Sequence, residues 1–118
     1  MMERKKEFLP WTIPDRNTKE QKALQDILKK EQGFVIQDNC YISELAEIHS
    51  STGTIGAGTV IAAEALIRSA DITTGSNCSV NSYAYLQGKI EMGNDVRIAP
   101  KASVITLKGT SVVPSPAI

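Results

Sequence analysis

The stretch TGSNCSVNSYAYLQGKIEM, residues 74–92, repeats one rule every six residues. An aliphatic or similar residue is followed four places later by a small or apolar one. The first positions of the repeat run through Thr74, Val80, Leu86, Met92, Ile98 and Val104. Upstream the rule reaches back to Ile36, with one extra residue between Ile48 and Ile55 and another between Ile67 and Thr74. A six-residue period fits neither an α-helix nor an alternating hairpin, and it is typical of a parallel β-helix.

Three hexads make one turn of a triangular prism, so successive turns superpose residues of the same kind. Four alanines share one predicted inward column: Ala46, Ala65, Ala84 and Ala102. Cys40 and Cys78 share another column two turns apart, and at about 4.8 Å per turn their separation is roughly 9.6 Å. A disulfide needs closer Cα atoms. We therefore expect about four turns over residues 34–105, with two buried free thiols.

The two extra residues are expected to form bulges that stack on one edge of the prism. The second bulge should turn Asp71 outward and give its interior place to Ile72. After Val104 the hexads stop, and the following residues include Lys108, Pro114 and Pro116. We therefore expect residues 106–118 to be an irregular tail. The open upper edge should be covered either by this tail or by end-to-end association.

Residues 1–33 are expected to form an extended arm followed by one helix. In the arm, Trp11 either anchors the segment on a neighbouring subunit or packs locally. The helix is predicted over residues 18–31, where Thr18 and Gln21 fit a capping box. An apolar stripe of Ala23, Leu24, Ile27 and Leu28 is expected to cover the lower end of the prism.

The composition excludes several classes of function. The 118 residues hold 13 Lys plus Arg and 13 Asp plus Glu, so no net charge attracts nucleic acid or a membrane surface. Neither a membrane-spanning apolar run nor the apolar part of a signal peptide is seen in the sequence. We expect a small cytoplasmic domain.

Three motifs, at residues 55–60, 92–96 and 97–100, resemble the hexapeptide-repeat acyltransferase superfamily, most closely its maltose- and galactoside-type O-acetyltransferases. The resemblance implies an all-β fold, a left-handed parallel β-helix, with the arm and the one α-helix added. It also implies a homotrimer that transfers an acyl group from acetyl-CoA or another acyl-CoA to a sugar or similar hydroxyl acceptor.

The resemblance further implies substrate or CoA contacts from Asn81, Tyr83, Tyr85 and Arg97. Asn81 could instead cap a corner of the prism, and Arg97 could be a solvated surface residue. The family's catalytic histidine lies about nine residues after the Ala-Pro pair, and here that place falls near Gly109. The catalytic residue is therefore unknown.

Three functional alternatives follow. The chain is an acyltransferase-like protein, or it is a catalytically inactive trimeric scaffold or a truncated or frameshifted fragment. The third alternative is a metal-dependent protein of the carbonic anhydrase type, which would need His49, the one histidine, to meet its copies on a three-fold axis. We expect no metal site.

Overall fold

A computed structural model describes residues 16–69 and 71–116. The expectations for the arm with Trp11, and for residues 117–118, lie outside these described residues. The elements are, in chain order, α1 (Lys19–Gln32), β1 (Val35–Ile36), β2 (Tyr41–Ile42), β3 (Glu47–Ser50), β4 (Gly53–Ile55), β5 (Val60–Ile61), β6 (Leu66–Ser69), β7 (Ile72–Thr73), β8 (Ser79–Val80), β9 (Tyr85–Met92), β10 (Arg97–Ile98) and β11 (Ser103–Val113).

The strands pair in parallel and form a β-solenoid of about four turns, which confirms the predicted β-helix. Face 1 contains β1, β4, β7 and the second parts of β9 and β11. Face 2 contains β2, β5, β8 and β10. Face 3 contains β3, β6 and the first parts of β9 and β11. The left hand of the coil stays a prediction from the resemblance.

The hydrophobic core fills the centre of the prism in the predicted columns. Ile55, Ile61 and Ile67, the first positions of the second turn, are all fully buried. Ala65 and Ala84 are equally buried in the small-residue column. Since the inward positions recur at the predicted spacing, the phase of the repeat is correct.

The two cysteines are free and buried, as expected. Each thiol donates to a carbonyl of the turn above, Cys40 to Gly56 at 3.2 Å and Cys78 to Gly93 at 3.0 Å. Burial is the main cause that raises the pKa of Cys40 above its ordinary value. The thiols therefore fill core space and satisfy backbone acceptors.

At corners A and B most turns pass through a residue with left-handed backbone angles. Corner A, between faces 1 and 2, has the left-handed residues Asn39, Gly58, Asn77 and Asp95. Corner B, between faces 2 and 3, has Glu64, Tyr83 and Lys101. Asn, Asp and Gly adopt this conformation readily, whereas the corner B residues do not.

Corner C, between faces 3 and 1, takes up every extra residue of the described turns. The path from Ile48 to Ile55 contains seven steps, as does that from Ile67 to Thr74, while Leu86 to Met92 contains six. At the first two turns the register places Ser50 beside Ser69 and Gly53 beside Ile72. The bulges therefore stack on one edge as predicted. Ile72 is fully buried while Asp71 is only partly buried, as expected.

Helix α1 closes the lower end of the prism through its glutamines. Gln21, which is 6% exposed, donates to the Ile42 carbonyl at 2.6 Å and accepts from the Ile42 N–H at 3.0 Å. Gln25 donates to the Cys40 carbonyl at 3.0 Å, and the Gln32 amide, in the orientation that satisfies both of its polar atoms, donates to the Ser50 carbonyl at 2.9 Å. These amides bind the strand edge where the next turn would be, so α1 covers this end as predicted.

The apolar stripe proposed for α1 is only half correct. Leu28 is buried and Leu24 packs against the core, but Ala23 is exposed and Ile27 is 50% exposed. Of the two hydrogen bonds in a capping box, the structure shows one, from the Gln21 N–H to the Thr18 hydroxyl. The Gln21 side chain points to β2 instead. A glutamine thus takes part of the contact area predicted for aliphatic residues.

The irregular tail expected from residue 106 onward is wrong for residues 106–113. These residues belong to β11, which pairs with β9 on both sides of a three-residue insertion at corner C. Thr110–Val113 begin a fifth turn on face 1, and Gly93 N–H donates to the Val113 carbonyl at 2.8 Å. The hexad count misses this strand because the insertion shifts it by three residues. The exposed Lys108 lies in that insertion, outside the core.

Candidate functional site

Corner B displays one predicted site residue toward solvent. The Ala84 N–H donates to the Asn81 carbonyl at 3.1 Å and closes a turn around Ser82 and Tyr83. Tyr83 adopts φ 63° in this turn, and its side chain is 63% exposed. Bulky residues rarely adopt this backbone conformation. The turn thereby holds an aromatic ring outside the prism on a rigid support.

Asn81 is half-buried and supports the corner. Its amide donates to the Ile98 carbonyl of the next turn at 2.8 Å and to the Ser79 hydroxyl at 3.2 Å. Both bonds tie neighbouring parts of the prism together. The alternative interpretation of Asn81 as a corner cap therefore matches its contacts.

Tyr85 lies on the outer surface of face 3, directly after corner B. Its side chain is half-buried, and its hydroxyl donates to the Gln87 Oε1 atom at 2.7 Å. In register, Leu66 lies below Tyr85 and Ser103 lies above it. Tyr83 and Tyr85 thus flank the same corner, one on the turn and one on the face.

Arg97 lies on face 2 and is separated from the tyrosines by the corner. Its side chain is exposed, and its Nη1 atom donates to the Asn77 carbonyl at 3.3 Å. Because Asn77 belongs to corner A, this contact turns the guanidinium away from corner B. The structure therefore places Asn81, Tyr83 and Tyr85 around corner B and turns the Arg97 guanidinium away from the two tyrosines.

The one histidine lies on face 3 in the first turn. His49 Nε2 is 3.6 Å from the Glu47 carboxylate, and both side chains are well exposed. Arg68 is its neighbour in the turn above. Among residues 16–69 and 71–116 no group of three or more His, Cys, Asp and Glu side chains could hold a metal ion.

Gly109 stands where the resemblance places the catalytic imidazole. It lies in the insertion at corner C with φ +78°, and a Cβ built there meets no atom within 4 Å. At about 4.8 Å per turn, His49 lies roughly 14 Å below the level of this insertion. No described imidazole therefore lies at the predicted catalytic position.

The family resemblance rests on the motifs at residues 55–60 and 92–100 alone. No family model, curated protein or solved structure matches this chain. Membership of the acyltransferase superfamily stays a prediction from those motifs. In the described residues, no helix has the length and apolar character needed to cross a membrane.

The site predicted from the sequence did not include two polar residues that lie on face 3. Arg68 and Gln87 follow inward positions of the repeat by one residue, so both point outward in the same column as His49. The six-residue register contains this information, since each residue after an inward aliphatic position on face 3 must lie on its outer surface. The family motif draws attention only to the turn beside them.

Proposed function

We propose that this chain is an acyltransferase-like protein that binds acetyl-CoA or another acyl-CoA beside corner B. Its acceptor would be a sugar or a similar small hydroxyl compound, and its assembly a homotrimer of parallel prisms. The observation that carries the proposal is the display of Tyr83. A strained corner residue with a large exposed ring is a feature that binding sites often contain.

Tyr85 and Gln87 add polar groups to the same region. Their side chains form a hydrogen-bonded pair on face 3 beside the Tyr83 corner. An aromatic ring with adjacent hydroxyl and amide groups suits a ligand that carries both an aromatic base and polar groups, as a coenzyme A does. These residues occupy rigid strands and a tight turn, so little ordering is needed when a ligand binds.

Transfer would also need a group that removes the proton from the acceptor hydroxyl. A histidine near neutral pKa is the usual choice, and the described part of the chain has Gly109 at the expected place. This observation favours a second candidate, a scaffold that retains the trimeric prism without catalysis. The two candidates differ in whether the acyl-CoA binds and in whether transfer follows.

Titration calorimetry with acetyl-CoA and CoA, on protein whose mass is measured by light scattering in the same buffer, tests the binding proposal. We expect saturable binding and a chain number divisible by three. Tyr83→Ala should weaken binding about tenfold or more, equivalent to about 1.4 kcal/mol. Leu45→Ala is the matched control, because Leu45 lies in the same corner two turns below and is 44% exposed.

Absence of binding by the wild-type protein would refute the acyl-CoA proposal and leave the scaffold. Equal weakening by both variants would refute the role of Tyr83. If the wild-type protein binds, Gly109→His tests the missing base. The site has room for the side chain, although its left-handed backbone costs about 1–2 kcal/mol. We expect acceptor-dependent CoA release from this variant and none from wild type; release by wild type would contradict the argument about the base.

A further inference from the structure

The outer surface of face 2 carries two side chains that are buried although they point out of the prism. Val60 of β5 precedes the inward residue Ile61, and Ser79 of β8 precedes the inward residue Val80. Because successive side chains of a strand point to opposite sides, Val60 and Ser79 face outward. They are nevertheless only 5% and 4% exposed. An outward side chain loses its contact with solvent only where other atoms lie over it, so this part of face 2 is covered.

The corresponding positions on the other two faces are more exposed. In the second turn these positions are Thr54 on face 1 and Leu66 on face 3, and both are half-buried. One turn higher they are Thr73 on face 1 and Tyr85 on face 3, which are half-buried as well. The turns stack in the same way on all three faces. Stacking alone therefore does not explain the burial of the outer surface of face 2.

The covered area extends from the strands of face 2 to corner B. Ala62 and Ala63, which lead into this corner in the second turn, are 0% and 8% exposed. Gly56 and Ala57 hold the same places at corner A and are half-buried. In the fourth turn the outward residue of face 2, Arg97, is exposed. The cover thus ends below the fourth turn.

The described helix and strands do not account for this cover. Within residues 16–69 and 71–116, the main contacts of β5 are with β2 and β8, its neighbours in the sheet. Helix α1 contacts β1 and β2, at the lower end of the prism. Another part of the protein must therefore lie over Val60 and Ser79.

The described chain begins at one border of the covered area. Arg16 Nη1 donates to the Asn39 carbonyl at 2.7 Å and to the Gly58 carbonyl at 3.1 Å. Both carbonyls belong to corner A, where face 2 begins. The Nε atom of the same side chain is buried. The residues that precede Arg16 therefore start beside face 2.

We propose that residues 8–15 cross the outer surface of face 2 of their own chain, from corner A towards corner B. In this arrangement Trp11 and Ile13 pack on Val60, Ser79 and the two alanines of corner B. Of the two interpretations of Trp11 from the sequence, an anchor on a neighbouring subunit or local packing, the proposal selects local packing and names its surface.

The composition of residues 8–15, FLPWTIPD, suits such a surface. The segment has four apolar side chains, those of Phe8, Leu9, Trp11 and Ile13. The backbone groups of the face 2 strands are bonded to one another, so a segment that lies on their outer surface has no strand edge to pair with. Pro10 and Pro14 have no N–H that needs a partner, and both favour an extended backbone. The small outward side chains of face 2 leave room for large apolar ones.

The length of the segment makes its own chain the occupant. From Gly58 at corner A to Ala63 at corner B the strand takes five residue steps, roughly 16 Å. Residues 8–15 in extended form span roughly 23 Å. Since Arg16 is fixed at corner A of the same chain, the segment reaches across face 2 without the help of a second copy.

The fluorescence of Trp11 tests the proposal, because Trp11 is the one tryptophan in the sequence. We expect the wild-type protein to emit at short wavelength and to be weakly quenched by acrylamide, as a buried indole does. Val60→Lys places an ammonium group under the segment, so its emission should shift to longer wavelength and its quenching should increase. Thr54→Lys is the matched control, since Thr54 faces outward from face 1 in the same turn, and it should leave both signals unchanged.

Arg16→Ala is a second variant that leaves face 2 itself intact. It removes the two bonds at corner A, so quenching of Trp11 should increase while the circular dichroism spectrum stays that of the wild type. Unchanged quenching in this variant would overturn the proposal, and so would solvent-like emission from the wild-type protein. An equal response of Val60→Lys and Thr54→Lys would overturn it as well. Sedimentation equilibrium identifies the chain to which the segment belongs: a lower mass for Val60→Lys than for Thr54→Lys would assign the segment to a second copy and contradict packing on its own chain.

Discussion

Replacement of Gln21 by alanine is expected to destabilise the fold, because this side chain binds the strand edge at the lower end of the prism. The Gln21 amide binds both backbone groups of Ile42, with an Nε2–O distance of 2.6 Å and an N–Oε1 distance of 3.0 Å. It also accepts from Gln25 Nε2 at 3.0 Å. The Gln21 side chain, which is 6% exposed, thus makes the two hydrogen bonds that a peptide group of a further turn below β2 would make.

The expected loss of stability follows from the two backbone groups of Ile42. Each buried group that loses its partner destabilises the fold by about 1–3 kcal/mol. The site is at the end of the prism, where water can reach part of the opened space. We therefore expect Gln21→Ala to lower the free energy of unfolding by about 2–4 kcal/mol. This is a large share of the total for a small domain.

Urea unfolding followed by circular dichroism measures this change. Gln25→Ala is the matched control on the same helix face, because its half-buried amide binds one backbone group, the Cys40 carbonyl, besides the Gln21 Oε1 atom, whereas Gln21 binds two backbone groups. We expect about 1 kcal/mol for the control. A change below 0.5 kcal/mol, on the order of a neutral surface substitution, for Gln21→Ala would refute the view that this amide completes the strand edge.

Two further changes test the packing of the prism. In Gly56→Ala the new Cβ would lie 2.1 Å from the carbonyl oxygen of Gly75, which belongs to the backbone of the next turn, so urea unfolding should show a loss of about 3 kcal/mol in stability. In Gly109→Ala the new Cβ meets no atom within 4 Å, so this variant should lose only about 1–2 kcal/mol because of its left-handed backbone. Equal losses would contradict the stacking of the turns. Neither Cys40 nor Cys78 should react with a thiol reagent in the folded protein at neutral pH, because both are almost fully buried, and rapid labelling of either would contradict this. Burial raises the pKa of Cys40 above its ordinary value of 9.0, so above pH 9 the folded thiol stays neutral while the unfolded thiol ionises. The stability advantage of wild type over Cys40→Ala should therefore be complete below pH 9 and shrink as the pH rises above 9.

The sequence predicts the interior of this protein well because each inward position is repeated. Ile42, Ile61 and Val80 occupy the same place in successive turns, so one correct assignment fixes the others. The left-handed corner at Asn77 is also readable, since asparagine favours that conformation. The same conformation at Tyr83 is not readable, because tyrosine shows no preference for it and the stacked turns impose it.

The ends of the prism could not be predicted in the same way. The role of Gln21 depends on where α1 lies against β2, which is a tertiary contact without a repeating pattern. The pairing of Thr110 with Lys89 follows an insertion that breaks the six-residue count. The separation of Arg97 from Tyr83 similarly depends on which corner its guanidinium contacts. In each case the position of the residue depends on a contact between distant parts of the sequence, and the local six-residue pattern does not predict such contacts.

The uneven length of corner C has a practical consequence for protein engineering. Successive passages through this corner take one, one, zero and three residues beyond the six-residue spacing, while the other two corners stay constant in the described turns. The corner thus accepts variable lengths without disturbing the register of any face. A foreign peptide inserted between Leu107 and Lys108, where Leu107 is 92% exposed, should be presented to solvent at one fixed edge of the prism. If the chain assembles symmetrically, each assembly would present several copies of that peptide at defined positions.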